Sequence, residues 1–142
     1  MVIGIFGENC TGKSTLAEIL KNRLDAQMMT GKDYLRLAKN EAIAKKLFQK
    51  RMEEAVSGAH LIYVISEPEH LDLLPEGAVR ILVSADLELI CDRFARRMGG
   101  NLPQPVRMML ERKHGIFDGE RRDYHVHNSA NTDEVCNAIC SM

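Results

Sequence analysis

The sequence predicts a single-domain α/β fold with a mainly parallel sheet over residues 1–142, and three observations predict it. Short apolar, β-branched runs alternate with segments of helical period along the whole chain. One of the runs, Leu61–Ile65, is apolar without interruption, as expected of a strand covered on both faces, and Val79–Val83 reads as another buried strand. The first run, Val2–Phe6, leads through a glycine-bounded turn into a helix, and strands linked through helices imply right-handed crossovers.

The elements follow in order. After Val2–Phe6, the stretch Gly7–Gly12 is a turn, and Leu16, Ile19, Leu20 and Leu24 set a helix over roughly residues 13–24. Ala26–Thr30 reads as a second strand, broken by Gly31-Lys-Asp-Tyr. A helix starts at about Leu35 or Asn40 and runs to Val56, with Ile43, Leu47, Phe48, Met52 and Val56 expected on one face. Ser57-Gly58 stops it. Leu61–Ile65 is the third strand, ended by Ser66-Glu-Pro68, and a turn or short helix holds Leu71–Leu74. Val79–Val83 is the fourth strand. Asp86 stands where it can cap a helix carrying Leu87, Ile90 and Phe94 to Met98. Residues 99–105 form a Gly/Pro loop and 106–114 a helix. Tyr124–His127 alternates as a short last strand, and Asn131-Thr-Asp-Glu opens a closing helix with Val135, Ala138 and Ile139 inward.

Composition narrows the function. Hydrophobic residues make up 45% and charged residues 27%, a globular balance, and the net charge of −1 argues against a uniformly basic nucleic-acid binder. No apolar run approaches the 18 or so residues of a membrane span. The N-terminal residues lack the charged leader of a signal peptide, so the expectation is a cytoplasmic protein. Cys10, Cys91, Cys136 and Cys140 form no C-x-x-C pair. They read as free thiols and not as a zinc site.

Gly7-Glu-Asn-Cys-Thr-Gly-Lys-Ser14 matches G-x-x-x-x-G-K-[ST] in the strand-to-helix context that this motif requires. In such a turn, backbone N–H groups converge on a β-phosphate while the helix N-terminus adds its positive dipole. The candidate nucleotide-binding residues are therefore Gly7, Asn9, Cys10, Thr11, Gly12, Lys13, Ser14 and Thr15. Lys13 is placed to reach the β- and γ-oxygens, and the Ser14 hydroxyl to ligate Mg²⁺. No D-x-x-G switch and no N-K-x-D guanine motif occurs, which excludes a GTPase.

The loop, the length and the alternation resemble the small P-loop kinases, the group that holds nucleoside monophosphate kinases, shikimate kinase and gluconate kinase. The resemblance implies a three-layer fold with a five-stranded parallel sheet of order 2-3-1-4-5, helices on both faces, and an arginine-bearing lid at about residues 97–112. It implies ATP and Mg²⁺ as cofactors and a small-molecule phosphoryl acceptor.

Met29-Thr-Gly-Lys-Asp-Tyr-Leu-Arg36 is similar to the T-G-D-x-x-R stretch of adenylate kinases with one residue inserted. On that similarity Asp33 orients the acceptor and Arg36 binds an anionic group on it. The alternatives are a helix cap for Asp33 and a solvated position for Arg36. A Walker B strand ends in Asp. Here Ser66 takes that place and Glu67 follows as a possible base or acceptor contact, while the D-G-x-P-R of the monophosphate kinases is missing.

Residues 93–122 hold eight basic residues against three acidic ones, and Arg93 and Arg97 are one helical turn apart just before the loop. In the resembling kinases this is where lid arginines clamp the γ-phosphate, so Arg93 and Arg97 are catalytic candidates beside Lys13 and Asp33. Arg107 and Arg112 could complete the clamp. A solvated helix face is the alternative; a nucleic-acid patch would want interleaved aromatics, and only Phe94 and Phe117 are near.

The resemblance further implies that the segment after the fifth strand packs against adenine, which makes the backbone groups of Ser129 and Ala130 candidates to meet the base. His125 and His127 alternate on that strand, as a metal pair or as structural histidines. The reading is an ATP-dependent kinase acting on a nucleotide or nucleoside. The alternatives are a shikimate- or gluconate-like metabolite kinase and a nucleotide-binding protein with little transferase activity.

Overall fold

The computed structural model describes residues 1–142. Five strands form one parallel sheet: β1 (Val2–Phe6), β2 (Gln27–Thr30), β3 (Leu61–Ile65), β4 (Val79–Ser84) and β5 (Tyr124–His127), in the order β2-β3-β1-β4-β5. The helices are α1 (Lys13–Leu24), α2 (Glu41–Ala55), α3 (Leu87–Arg97), α4 (Gln104–Lys113) and α5 (Thr132–Cys140), with 3₁₀ turns at Asp33–Leu37 and Pro68–Leu73. Fold class and strand order are those that the sequence resemblance implied. No helix is long and apolar enough to cross a membrane.

Strand alternation divides the core into two layers. Ile3, Ile5, Ile62, Ile81 and Val126 point to one face and are covered by Leu16 and Leu20 of α1 and by Val135 and Ile139 of α5. Phe6, Tyr63, Ile65 and Leu82 point to the other and meet Phe48 and Met52 of α2 and Phe117. β1 is buried on both faces at every residue. A Cβ at Gly4 would stand 2.5 Å from Leu74 Cδ1, so a side chain there would have to push Leu74 aside. A third, smaller cluster joins Ile90 and Cys91 of α3 to Leu110 of α4 and to Cys10 of the Gly7–Gly12 turn. This packing seats the α3–α4 unit on the turn.

Several expectations are corrected. α2 begins at Glu41, with the Asn40 side chain accepting the Ile43 N–H at 3.1 Å. Its buried residues are Ala44, Phe48, Met52 and Ala55, whereas Ile43 and Leu47 are 53% and 45% exposed. The cause is aromatic: Phe48 stacks on Tyr34 of the preceding 3₁₀ turn at 5.5 Å and meets Tyr63 of β3 edge-on at 4.8 Å. Those contacts rotate the helix away from the phase that its aliphatic residues alone suggest. In α5, Cys136 is inward and Ala138 is exposed. α4 starts at Gln104, earlier than expected, because a proline in the first helical turn removes no hydrogen bond. Asp86 precedes α3 but its side chain caps nothing; the carboxylate turns instead to His127 and Asn128.

Candidate active site

The turn after β1 stands at the carboxyl end of the sheet, between β3 and β4. Gly7 donates its N–H to Ile65 O at 3.2 Å, and a Cβ there would lie 2.0 Å from Val83 O, so only glycine passes between the two strands. Cys10 and Gly12 take positive φ, 61° and 105°. Thr11 is fully buried and donates its hydroxyl to Glu8 O at 2.9 Å. Gly7 and Thr11 thus shape the turn, while Asn9, Cys10, Gly12, Lys13, Ser14 and Thr15 line a cavity of about 230 Å³ above it. The first turn of α1 opens into this cavity, and helix N-termini present N–H groups without intrahelical partners.

Lys13 is 7% exposed, and its ammonium donates to Glu8 O at 2.6 Å. Burial lowers its pKa from 10.5 to about 8, and the positive charge of Arg97 acts in the same direction. Arg97, at the C-terminal end of α3, lines the same cavity, together with Thr30 and Val64 from neighbouring strands and Ser66 after β3.

Arg93 plays a different part. Its Nη1 donates to Cys10 O at 2.9 Å, so it braces the turn from α3 while Arg97 faces the space above. Arg107 is not free for a clamp either: it pairs with Glu88 at 2.9 Å and with Glu111 at 3.1 Å. Those two carboxylates raise its pKa.

The residues expected on the acceptor side are brought together less tightly. Asp33 opens the 3₁₀ turn after β2 and accepts the Thr30 N–H on Oδ2 at 3.0 Å. It neighbours the cavity through Thr30 without lining it. Arg36 is exposed and Glu67 faces Lys113 at 3.6 Å. Ser66, in the place of a Walker B Asp, does line the cavity.

Beyond β5, Asn128 and Ser129 both take positive φ, 51° and 60°. Ser129 Oγ lies 3.1 Å from where a Cβ on Gly12 would be, which sets this loop beside the phosphate turn. Ala130 follows in a turn closed by its N–H to His127 O at 3.0 Å. His125 Nε2 and His127 Nδ1 both contact Ser84 Oγ, at 2.6 and 2.8 Å, and His127 Nε2 reaches Asp86 Oδ1 at 3.0 Å. Bonds from Asn128 and then His127 hold the Asp86 carboxyl below its usual pKa. The histidines are thus joined to β4 in a hydrogen-bonded network, and no group of three His, Cys, Asp or Glu side chains is arranged to hold a metal.

Sequence reasoning missed Glu8, whose carboxylate meets His114 Nδ1 and the Gly115 N–H, both at 3.1 Å. It also missed Thr30, while Ser66, singled out as standing in the Walker B position, does line the cavity. An acidic residue inside a turn built for phosphates was the available signal for Glu8.

No family model matches the chain. A shikimate kinase of Pelotomaculum thermopropionicum is 28% identical over 143 residues, spanning 83% of this chain and 80% of that protein. Shikimate kinase from Acinetobacter baumannii, solved with shikimate, superposes with a TM-score of 0.65 at 14% identity, over 99% of this chain and 93% of the other. The fold is that of the small P-loop kinases. A gluconokinase from Sinorhizobium meliloti shares it, with a TM-score of 0.60 at 16% identity over 99% of this chain and 89% of the other.

Proposed function

We propose that this protein is an ATP-dependent kinase that transfers the γ-phosphoryl group to a hydroxyl of a small metabolite. The observation that carries the reading is the cavity in which Lys13 and the open end of α1 face Arg97, Ser66 and Thr30. One wall of it suits the β- and γ-phosphates of ATP, and the other supplies a cation over the group that moves.

The donor set there fits magnesium that arrives with the nucleotide: hydroxyls of Ser14 and Ser66 and no carboxylate among the lining residues. Magnesium keeps most of its coordination as phosphate oxygens and water. Ser14 would hold it, and it would supply charge neutralisation between the β- and γ-phosphates. Lys13 leaves Glu8 O for the phosphates on ATP binding. The acceptor oxygen attacks the γ-phosphorus, the bond to the β–γ bridging oxygen breaks, and ADP leaves. Charge builds on the equatorial oxygens, where Arg97 answers it. Asp33 Oδ2 is engaged by Thr30, so Oδ1 is the atom assigned to orient the acceptor hydroxyl and receive its proton.

The acceptor class favoured is a hydroxylated acid of the shikimate or gluconate kind. The 28% identity to a shikimate kinase supports it, as does the missing D-G-x-P-R of the monophosphate kinases. Arg36, exposed on the 3₁₀ turn after β2, is then placed to meet the acid group. The shikimate kinase and the gluconokinase named above are both kinases of hydroxy acids, which favours that class over a nucleotide or nucleoside. An ADP-release assay with shikimate, gluconate, nucleosides and nucleoside monophosphates tests the choice. Stimulation by a hydroxy acid toward the ~1–100 s⁻¹ of kinases is expected. Stimulation by nucleoside monophosphates alone would overturn the acceptor class, and stimulation by none of them would overturn the transferase.

A further inference from the structure

A carboxylate inside a phosphate-binding turn is electrostatically adverse, because it adds negative charge beside a polyanion. Glu8 is that carboxylate, and it is 9% exposed. It is absent from the lining of the phosphate cavity. Its oxygens point the other way, to a depression that it shares with His114. Oε1 meets His114 Nδ1 and Oε2 accepts the Gly115 N–H, each at 3.1 Å.

These two partners occupy a particular place. His114 is the residue at which α4 ends, and Gly115 takes φ +84°, where the chain leaves the helix. Glu8 therefore ties the C-terminal end of the lid unit to the turn that carries the phosphate site. The backbone of the same residue faces the site: Glu8 O receives the Lys13 ammonium at 2.6 Å and the Thr11 hydroxyl at 2.9 Å. One residue thus holds the phosphate-binding lysine by its carbonyl and the end of α4 by its side chain.

The hold extends to Arg97. Leu110 of α4 packs with Ile90 and Cys91 of α3 in one buried cluster, so α3 and α4 move as a unit. Arg97 is the last residue of α3 and lines the phosphate cavity. Fixing the end of α4 fixes the height of Arg97 over that cavity. The second tie, Arg93 to Cys10 O, lies near the middle of α3, and Lys113–Glu67 at 3.6 Å is a half-exposed pair. The Glu8 tie starts from a buried carboxylate that accepts two hydrogen bonds at the end of α4, and such a pair of bonds resists opening more than a single half-exposed ion pair does.

We infer that Glu8 is a positioning residue: through His114 and Gly115 it sets the α3–α4 unit so that Arg97 meets the transferring phosphoryl group. The inference rests on the kinase reading given above, and it makes no contact between Glu8 and ATP. Removing the carboxylate should misplace Arg97 while leaving the nucleotide's own contacts in place.

The experiment compares wild type with Glu8→Ala, Glu8→Gln and His114→Ala in two measurements. The first is steady-state turnover with ATP and the accepted acceptor, beside the Kd of an unreactive ATP analogue. Glu8→Ala should lower kcat by about 10- to 100-fold, the cost of a small misplacement of a catalytic group, with the analogue's Kd within about threefold of wild type. His114→Ala should give a smaller loss of the same kind. Glu8→Gln, which can still accept the Gly115 N–H, should recover most of the kcat. The second is hydrogen exchange over residues 104–116 with the analogue bound. Exchange should quicken at least severalfold in Glu8→Ala and not in Glu8→Gln.

An unchanged kcat with unchanged exchange in Glu8→Ala overturns the inference. So does a Kd that rises as far as kcat/KM falls, because Glu8 would then serve only to shape the phosphate turn. His114→Ala is a change at an exposed residue and keeps the test open if Glu8→Ala does not fold. Should wild type turn over no acceptor, the kinase reading fails by itself, and the exchange measurement still decides whether Glu8 holds the end of α4.

Discussion

At the phosphate end of the candidate site, Lys13 is buried and donates to Glu8 O, Thr11 is locked to the same carbonyl, and two residues of one turn take positive φ. At the acceptor end, Asp33 holds one hydrogen bond to Thr30, Arg36 is exposed and Glu67 faces a lysine across 3.6 Å. The first end is made of backbone, whose geometry eight consecutive residues determine. The second is made of side chains from two separate elements, the 3₁₀ turn after β2 and the segment that follows β3. A phosphate site built from N–H groups and a helix terminus is complete before any ligand arrives, whereas an acceptor site of this kind is completed by the acceptor itself.

The sharpest break of this comparison is at Arg97. Arg97→Ala should lower kcat by about 10²–10³-fold, the cost of removing one donor aimed at developing charge, with little change in ATP affinity. Arg93→Ala should act in another way. Loss of its bond to Cys10 O loosens the turn, so ATP affinity and turnover should fall together, by about tenfold. Identical kinetics for the two variants would remove the distinction drawn between bracing and facing arginines.

Next in size is Asp33. Asp33→Asn keeps shape and loses charge. It should cut acceptor-stimulated turnover by about 10²-fold, within the range of a lost general base, and leave the nucleotide's thermal stabilisation intact. If stimulation survives the change, the proton goes elsewhere and Ser66-Glu67 becomes the place to look.

A smaller effect belongs to pH. Because burial holds Lys13 near a pKa of about 8, raising the pH from 7 to 9 should weaken ATP binding about tenfold as the free lysine discharges. The ligand-free protein should respond oppositely. Between about 8 and the ordinary 10.5 the unfolded chain binds the lysine proton more tightly, so this group's contribution to native stability rises with pH. Calorimetric titration across that window checks the first and chemical denaturation the second; neither trend should appear in Lys13→Ala. The smallest effect is expected at Glu67, where Glu67→Gln removes only a half-exposed pair with Lys113 and should change turnover by less than about threefold.

Legibility in the sequence followed the same division. The strands and the glycine-bounded turn were readable because their signals are local: β-branched runs, a glycine pair, and a lysine at fixed spacing; the order of the strands came from the family resemblance. The phase of α2 was not, because Phe48 answers to Tyr34 and Tyr63, which lie outside the helix, and those rings outweigh the aliphatic stripe of Ile43 and Leu47. Asp86 looked like a helix cap, and the partners that took it, His127 and Asn128, lie more than 40 residues away in the chain. Arg107 was drawn off by Glu88, 19 residues away in the chain, as well as by Glu111 one helical turn on. Glu8 escaped because its role depends on where α4 ends in space. Charged side chains choose partners in the folded state, and one-dimensional spacing records only those within a turn or two.

The most direct test of a preformed phosphate site is the melting temperature with and without an unreactive ATP analogue and Mg²⁺, in the absence of any acceptor. At about 100 times its Kd, the analogue should stabilise wild type by about 2.7 kcal/mol, which is several degrees for a chain of this size. Lys13→Ala should lose most of that shift. Equal shifts in the two proteins, or a shift in wild type that appears only when acceptor is added, would contradict a phosphate site that is complete by itself.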